Sequence, residues 1–157
     1  MNFTYLKTST PLGEMTLASD GSALCGAWFI EQKHFPVMSE WREDGENELL
    51  KKAADELRSY FAGELRHFTV PLYPRGTSFQ QQVWAGIAGI PYGRTASYGD
   101  LAKRLHSSAR AVGSATGRNP LSLFIPCHRV MGGDGSITGY AGGLDRKKAL
   151  QIGRAHV

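Results

Sequence analysis

Between Phe3 and Ile30 short apolar runs alternate with the turn residues Pro11-Leu12-Gly13 and Asp20-Gly21. That pattern predicts strands joined by tight turns. Residues 31–46 are polar and carry no period. The spacing then becomes helical: Leu49, Leu50, Ala53, Leu57, Tyr60 and Phe61 fall on one face, and Gly63 is placed to end the helix. Pro71, Pro74 and Gly76 mark a linker. Residues 1–73 are therefore expected to form a small α/β domain.

The second half has a different grain. Ser78 is placed to cap a helix whose stripe is Phe79, Val83, Trp84 and Ile87. "PYGRT" breaks it, and Ser97 is placed to cap a second helix, "YGDLAKRL". A short loop leads to a third, "ARAVGSATG", stopped by Gly117 and Pro120. Helix, turn, helix, short loop, helix is a helix-turn-helix order. A hairpin about Asp134-Gly135 would add a wing, and "LDRKKAL" would begin a last helix. Residues 74–150 are expected to be a winged helix-turn-helix domain, giving an α/β plus α fold.

The third helix is made of small residues, with Gly113 and Gly117 weakening it. Close packing on the core explains such a helix as well as close approach to something large. A narrow minor groove would suit a small face bearing one cation, Arg110.

Charge sharpens the second half only. The chain has 18 Lys+Arg against 14 Asp+Glu, net +4. Between Arg75 and Arg118 the single acid is Asp100, against six cations. A solvated face and a polyanion site are equally served by that distribution. No apolar run approaches the roughly 20 residues of a membrane span, and "MNFTYLKTSTPLGEM" lacks the apolar core of a secretory signal. A cytoplasmic protein, with no membrane partner, is expected.

There are two cysteines. Cys25 sits in "ALCGAWF", where it reads as a small hydrophobe in a strand. Cys127 is different. Pro126 fixes the backbone before it, His128 and Arg129 follow it, and an apolar run, Leu121 to Ile125, reads as a strand leading in. Positive neighbours lower a thiol's pKa from about 8.5. Successive strand residues face opposite ways, so His128 could act on Cys127 only through a backbone bend or a bridging water. Metal-ligand spacings are missing and a papain-like arrangement fits poorly. The residues alone give a nucleophilic thiol in a nucleic-acid-binding half.

"IPCHRV", with "NP" before it and "GYAGG" after it, resembles the methylated-DNA–protein-cysteine methyltransferases, also called alkylguanine-DNA alkyltransferases. "TSFQQQVWAGIAGIPYGRTASYGDLAKRL" and "ARAVGSATGRNPLSLFIPCHRV" are similar to that family in its order, and "TPLGEMTLA" resembles its ribonuclease H-like N-terminal domain. The resemblance implies direct-reversal DNA repair. Double-stranded DNA would be bound through its minor groove, a guanine alkylated at O6 (with thymine O4 a second candidate) everted, and the alkyl group moved irreversibly to Cys127. No cofactor and no metal are implied, and the protein would act once, as a monomer.

The resemblance also distributes roles. His128 would be the base that ionises Cys127 through water. Asn119 would be the hinge between recognition helix and nucleophile. Tyr98 would crowd the target phosphate and donate to guanine N3. Arg110 would fill the vacated stack, with Ala111, Gly113 and Ala115 permitting groove approach. The carbonyls of Cys127 and Val130 would take the exocyclic amine, and Tyr140 and the Ala141 amide would close the pocket near O6. All of this needs a sulfur that can be reached from the side of the Arg110 helix.

The tail departs from the family pattern. The glutamate that would orient His128 should fall near Gly153 or Arg154, and neither is acidic. "IGRAHV" is what one frame of a common sequencing adapter encodes. Residues 151–157 are therefore expected to be a non-native tail that impairs activity. Two rivals remain: a lesion sensor of the same fold that binds without transfer, and a winged-helix regulator with a redox-sensing thiol.

Overall fold

The computed structural model describes residues 3–30, 32 and 35–132. Strands β1 (Thr4–Thr10), β2 (Gly13–Ser19) and β3 (Leu24–Phe29) form an antiparallel meander. The expected turn joins the first two, closed by the Thr10 hydroxyl donating to the Gly13 carbonyl at 2.7 Å. A two-residue strand, β4 (Arg42–Glu43), adds parallel to β1 and sets the order β3-β2-β1-β4. The polar stretch from 31 to 46 gave no sign of β4, because backbone pairing with β1, not side-chain pattern, makes it.

Helix α1 (Glu48–Phe61) packs on this sheet through Leu50, Ala53, Ala54, Leu57 and Tyr60. Asn47 caps its start, accepting from the Leu50 N–H. Gly63, at φ 78°, ends it as expected: its N–H reaches the Tyr60 carbonyl, and the Glu64 N–H reaches that of Ser59. This is the paired Schellman closure that favours glycine.

The second half contributes α2 (Ser78–Ala88), α3 (Tyr98–Leu105) and α4 (Ala109–Gly117). The cap of α2 is Thr77, one residue before the expected Ser78. Thr77 makes a reciprocal capping box with Gln80, and Ser78 is the first helical residue. Ser97 caps α3 as expected, paired with Asp100. His106, left-handed at φ 53°, turns the chain from α3 into α4, which Ser108 caps. The Trp84 indole donates to the Ala115 carbonyl at 2.8 Å and fastens α4 to α2. The hairpin expected around Asp134-Gly135, the last helix and the tail lie outside the described residues.

The outer edge of β3 is covered twice. Leu24 exchanges backbone bonds with Pro71 and Tyr73 of the linker, both at 2.8 Å. Ala27 accepts from the Ser122 N–H at 3.0 Å and donates to the Pro120 carbonyl at 2.8 Å. The run toward Cys127 is thus laid against the sheet of the first half, and one hydrophobic cluster spans both halves.

Candidate active site

The run from Leu121 to Ile125, expected as a strand, is a tight turn. Only isolated bridges remain, Ala27 to Leu121 and Ser122 to Ile125, and Leu123 is left-handed at φ 74°. The Ile125 N–H returns to the Leu121 carbonyl at 2.9 Å. A left-handed leucine costs roughly 1 kcal/mol or more, here set against the burial of its side chain. Sequence pattern cannot separate such a buried turn from a buried strand.

Pro126, at φ −80° and ψ 65°, then makes an inverse γ-turn, with the Cys127 N–H on the Ile125 carbonyl at 2.8 Å. Cys127–Arg129 is one 3₁₀ turn, closed by the Val130 N–H on the Cys127 carbonyl. This is the backbone bend that His128 needs if it is to serve its neighbour. Strand β6 (Val130–Met131) pairs in parallel with β5 (Ala96–Ser97). That two-residue ladder brings Tyr98, first residue of α3 and half-buried, to the side of the nucleophile turn.

Asn119 organises the site. Its Oδ1 accepts from the Leu121 N–H at 2.9 Å. Its Nδ2 donates to the Ile125 carbonyl at 2.9 Å and lies 3.3 Å from the Cys127 sulfur. The amide thus bonds backbone groups on both sides, and the contact with sulfur is an addition to what the sequence led us to expect. The Asn119 amide thereby places a donor on the sulfur. The Cys127 carbonyl accepts the backbone bond that closes the 3₁₀ turn.

Two expectations are corrected. Cys127 is 1% exposed, so the resting protein does not present its thiol to solvent. Arg129, offered as a cation beside the thiol, is buried and directed elsewhere: it donates to the Ile90 carbonyl at 2.8 Å and to the Tyr60 hydroxyl at 3.5 Å. It serves as a strut between the halves. Cys25 is buried in β3, as expected, and burial pushes its thiol pKa up.

On α4 the small residues divide. Val112, Ala115 and Thr116 are buried. Ala115, expected at the groove, is instead packed under Trp84. Arg110 is exposed, and Ala111 and Gly113 are partly so. A methyl group added at Gly113 or Gly117 would meet nothing within 4 Å. No contact among the described residues requires those two glycines. Val130 is buried, while Tyr140 and Ala141 lie outside the described residues.

Residues 3–74 match the family model described as 6-O-methylguanine DNA methyltransferase, ribonuclease-like domain, and residues 78–152 match its DNA binding domain. The chain belongs to the methylated-DNA–protein-cysteine methyltransferase family. A Mycobacterium tuberculosis member of that name is 46% identical over 148 residues, covering 93% of this chain and 88% of that one. A Methanosarcina acetivorans methyltransferase is 43% identical over 149 residues, covering 93% and 94%. The crystal structure of the M. tuberculosis methyltransferase OGT in complex with DNA superposes with a TM-score of 0.91 at 43% identity, covering 98% of this chain and 93% of that one. The two-domain methyltransferase fold is thereby established for this chain: a sheet domain followed by a helical DNA-binding domain.

Sequence reasoning missed one residue near this site. Tyr60 was placed only on the apolar face of α1, yet its hydroxyl lies 3.5 Å from His128 Nε2. The available signal was chemical: a tyrosine inside an apolar stripe needs a partner for its hydroxyl.

Proposed function

We propose that this chain repairs alkylated DNA directly, by taking the alkyl group of an O6-alkylguanine onto Cys127. The observation that carries the reading is the Asn119 amide held on the sulfur of a cysteine that a 3₁₀ turn sets beside a histidine. Cys127 loses its proton toward His128 through water. The sulfur then attacks the alkyl carbon, the S–C bond forms as the C–O6 bond breaks, and the electron pair returns to the guanine ring. Tyr98 supplies a donor at N3 as that charge develops. The thioether is stable, so one molecule repairs one lesion. This chemistry calls for no cofactor.

DNA enters through the α4 face. Arg110, Ala111 and Gly113 lie at the minor groove, Arg110 takes the place of the everted base, and the carbonyls of Cys127 and Val130 receive its exocyclic amine. Two glycines with open space around them support this placement. Ala115 acts from beneath, by packing. Because Cys127 is buried at rest, the turn must part from its cover as the base arrives. We divide the chain near residue 73 and place the protein in the cytoplasm as a monomer, for which its two free thiols are suited. Among the described residues no helix is long and apolar enough to cross a membrane.

Mass spectrometry after incubation with duplex DNA carrying O6-methylguanine tests the reading. A gain of one methyl on the Cys127 peptide is expected, and none in Cys127→Ala. Binding without mass gain would turn the assignment to a lesion sensor. Sequence-specific major-groove binding without mass gain would turn it to a redox regulator.

A further inference from the structure

The first half of the molecule reaches the nucleophile turn through the hydroxyl of Tyr60 on α1. Its ring is held on several sides: stacked on Phe68 at 5.2 Å between centroids, and edge-on to Phe61 at 5.9 Å and to Tyr92 at 6.0 Å. Phe68 in turn leans on Phe124 at 4.3 Å, beside the turn that leads to Cys127. A ring fixed in this way leaves its hydroxyl no choice of position. That hydroxyl is 3.5 Å from His128 Nε2 and 3.5 Å from Arg129 Nη2. Arg129 is itself fixed by the Ile90 carbonyl at 2.8 Å and by the Tyr92 ring at 5.5 Å, and Arg66 lies over the same ring at 5.6 Å.

We propose that Tyr60 is a positioning residue for His128, holding the imidazole through both halves of its proton cycle. The argument is one of donor and acceptor count. A guanidinium only donates, so Arg129 occupies a lone pair of the Tyr60 oxygen. One lone pair and the hydroxyl proton are left for His128. Nε2 spends its one site on Tyr60, so the proton from Cys127 comes to Nδ1; Nε2 keeps its hydrogen before and after and donates it to the Tyr60 oxygen. A phenylalanine in the same place could not accept it. Burial raises the Tyr60 pKa, which keeps the hydroxyl neutral. Both contacts are long at rest, as catalytic hydrogen bonds often are before substrate binds. The N-terminal domain thereby takes part in the chemistry through a single oxygen.

The proposal rests on His128 as the base of the transfer reaction, and Tyr60→Phe in the full chain tests it. The substitution keeps the ring and removes only the oxygen. We expect unchanged affinity for duplex DNA containing O6-methylguanine and a single-turnover transfer rate about ten-fold lower, a part of what a general base supplies. Imidazole nitrogen NMR gives a second reading that does not depend on transfer: the His128 ¹⁵N shifts should change in Tyr60→Phe while those of the exposed His106 do not. An unaltered transfer rate, or equal losses of affinity and rate with unaltered His128 shifts, would overturn the proposal. If the wild-type protein transfers nothing, the functional reading fails, and the shift comparison still decides whether Tyr60 holds the ring.

Discussion

The Nδ2 of Asn119 lies 3.3 Å from the sulfur of Cys127 while donating to the Ile125 carbonyl at 2.9 Å, and Oδ1 of the same amide accepts from Leu121. One side chain therefore ties the end of α4 to the nucleophile. Asn119→Ala leaves the Ile125 carbonyl and the Leu121 N–H without these partners in a buried place. The expected loss is about 3 kcal/mol of stability, one to two buried hydrogen bonds' worth. Transfer should slow as well, since the sulfur loses a donor. Denaturant unfolding and single-turnover transfer, measured on the same sample, check the two parts.

Gly113 separates stability from binding. A methyl group there meets nothing within 4 Å, and alanine is the better helix former by about 1 kcal/mol. Gly113→Ala should melt higher than the parent yet bind duplex DNA more weakly, because in the proposed docking the added methyl faces the groove. Tighter or unchanged binding would remove α4's open face from the DNA interface. Arg110→Ala, by contrast, should leave the melt unchanged and reduce the yield of transfer.

Burial makes a prediction about reactivity without DNA. Cys127 is 1% exposed and Cys25 is 3% exposed. Iodoacetamide should modify neither at an appreciable rate in the native protein, and both after denaturation. Rapid native modification of Cys127 would show that the turn opens without a base to receive.

Asp20 gives an acid-stability test. The Ser22 backbone N–H at 2.9 Å leads several donors that hold its pKa down to about 2, against an ordinary 3.8. A carboxylate lowered in the folded state contributes stability above its unfolded pKa, and that contribution fades as pH falls toward the folded value. Wild type should therefore lose more stability than Asp20→Asn between about pH 4 and pH 2. Urea titrations at several pH values in that window measure the difference.

Much of this was legible in the chain because local rules and packing agree. The stripe of α1, the glycine that ends it and the Ser97 cap were each placed by period or cap chemistry, and each packs as the pattern implies. The candidate nucleophile stood out because "PCHR" sets a thiol between a fixed backbone and a histidine. Other features depend on distant partners. β4 exists through pairing with β1, Ala115 is buried because Trp84 reaches its carbonyl, and Arg129 turns inward because Ile90 and Tyr60 accept from it. Nothing within a few residues of any of these announces the partner.

The bond from Trp84 to Ala115 has an optical consequence. Of the chain's three tryptophans, Trp28 and Trp41 lie together in the first half, 5.6 Å between ring centroids, while Trp84 alone touches the recognition helix. Its indole is buried, and its N–H ends on α4, the helix proposed to meet DNA. With Trp28 and Trp41 replaced by phenylalanine, the emission of one native fluorophore would report α4 engaging a duplex in real time, with no dye attached to either partner.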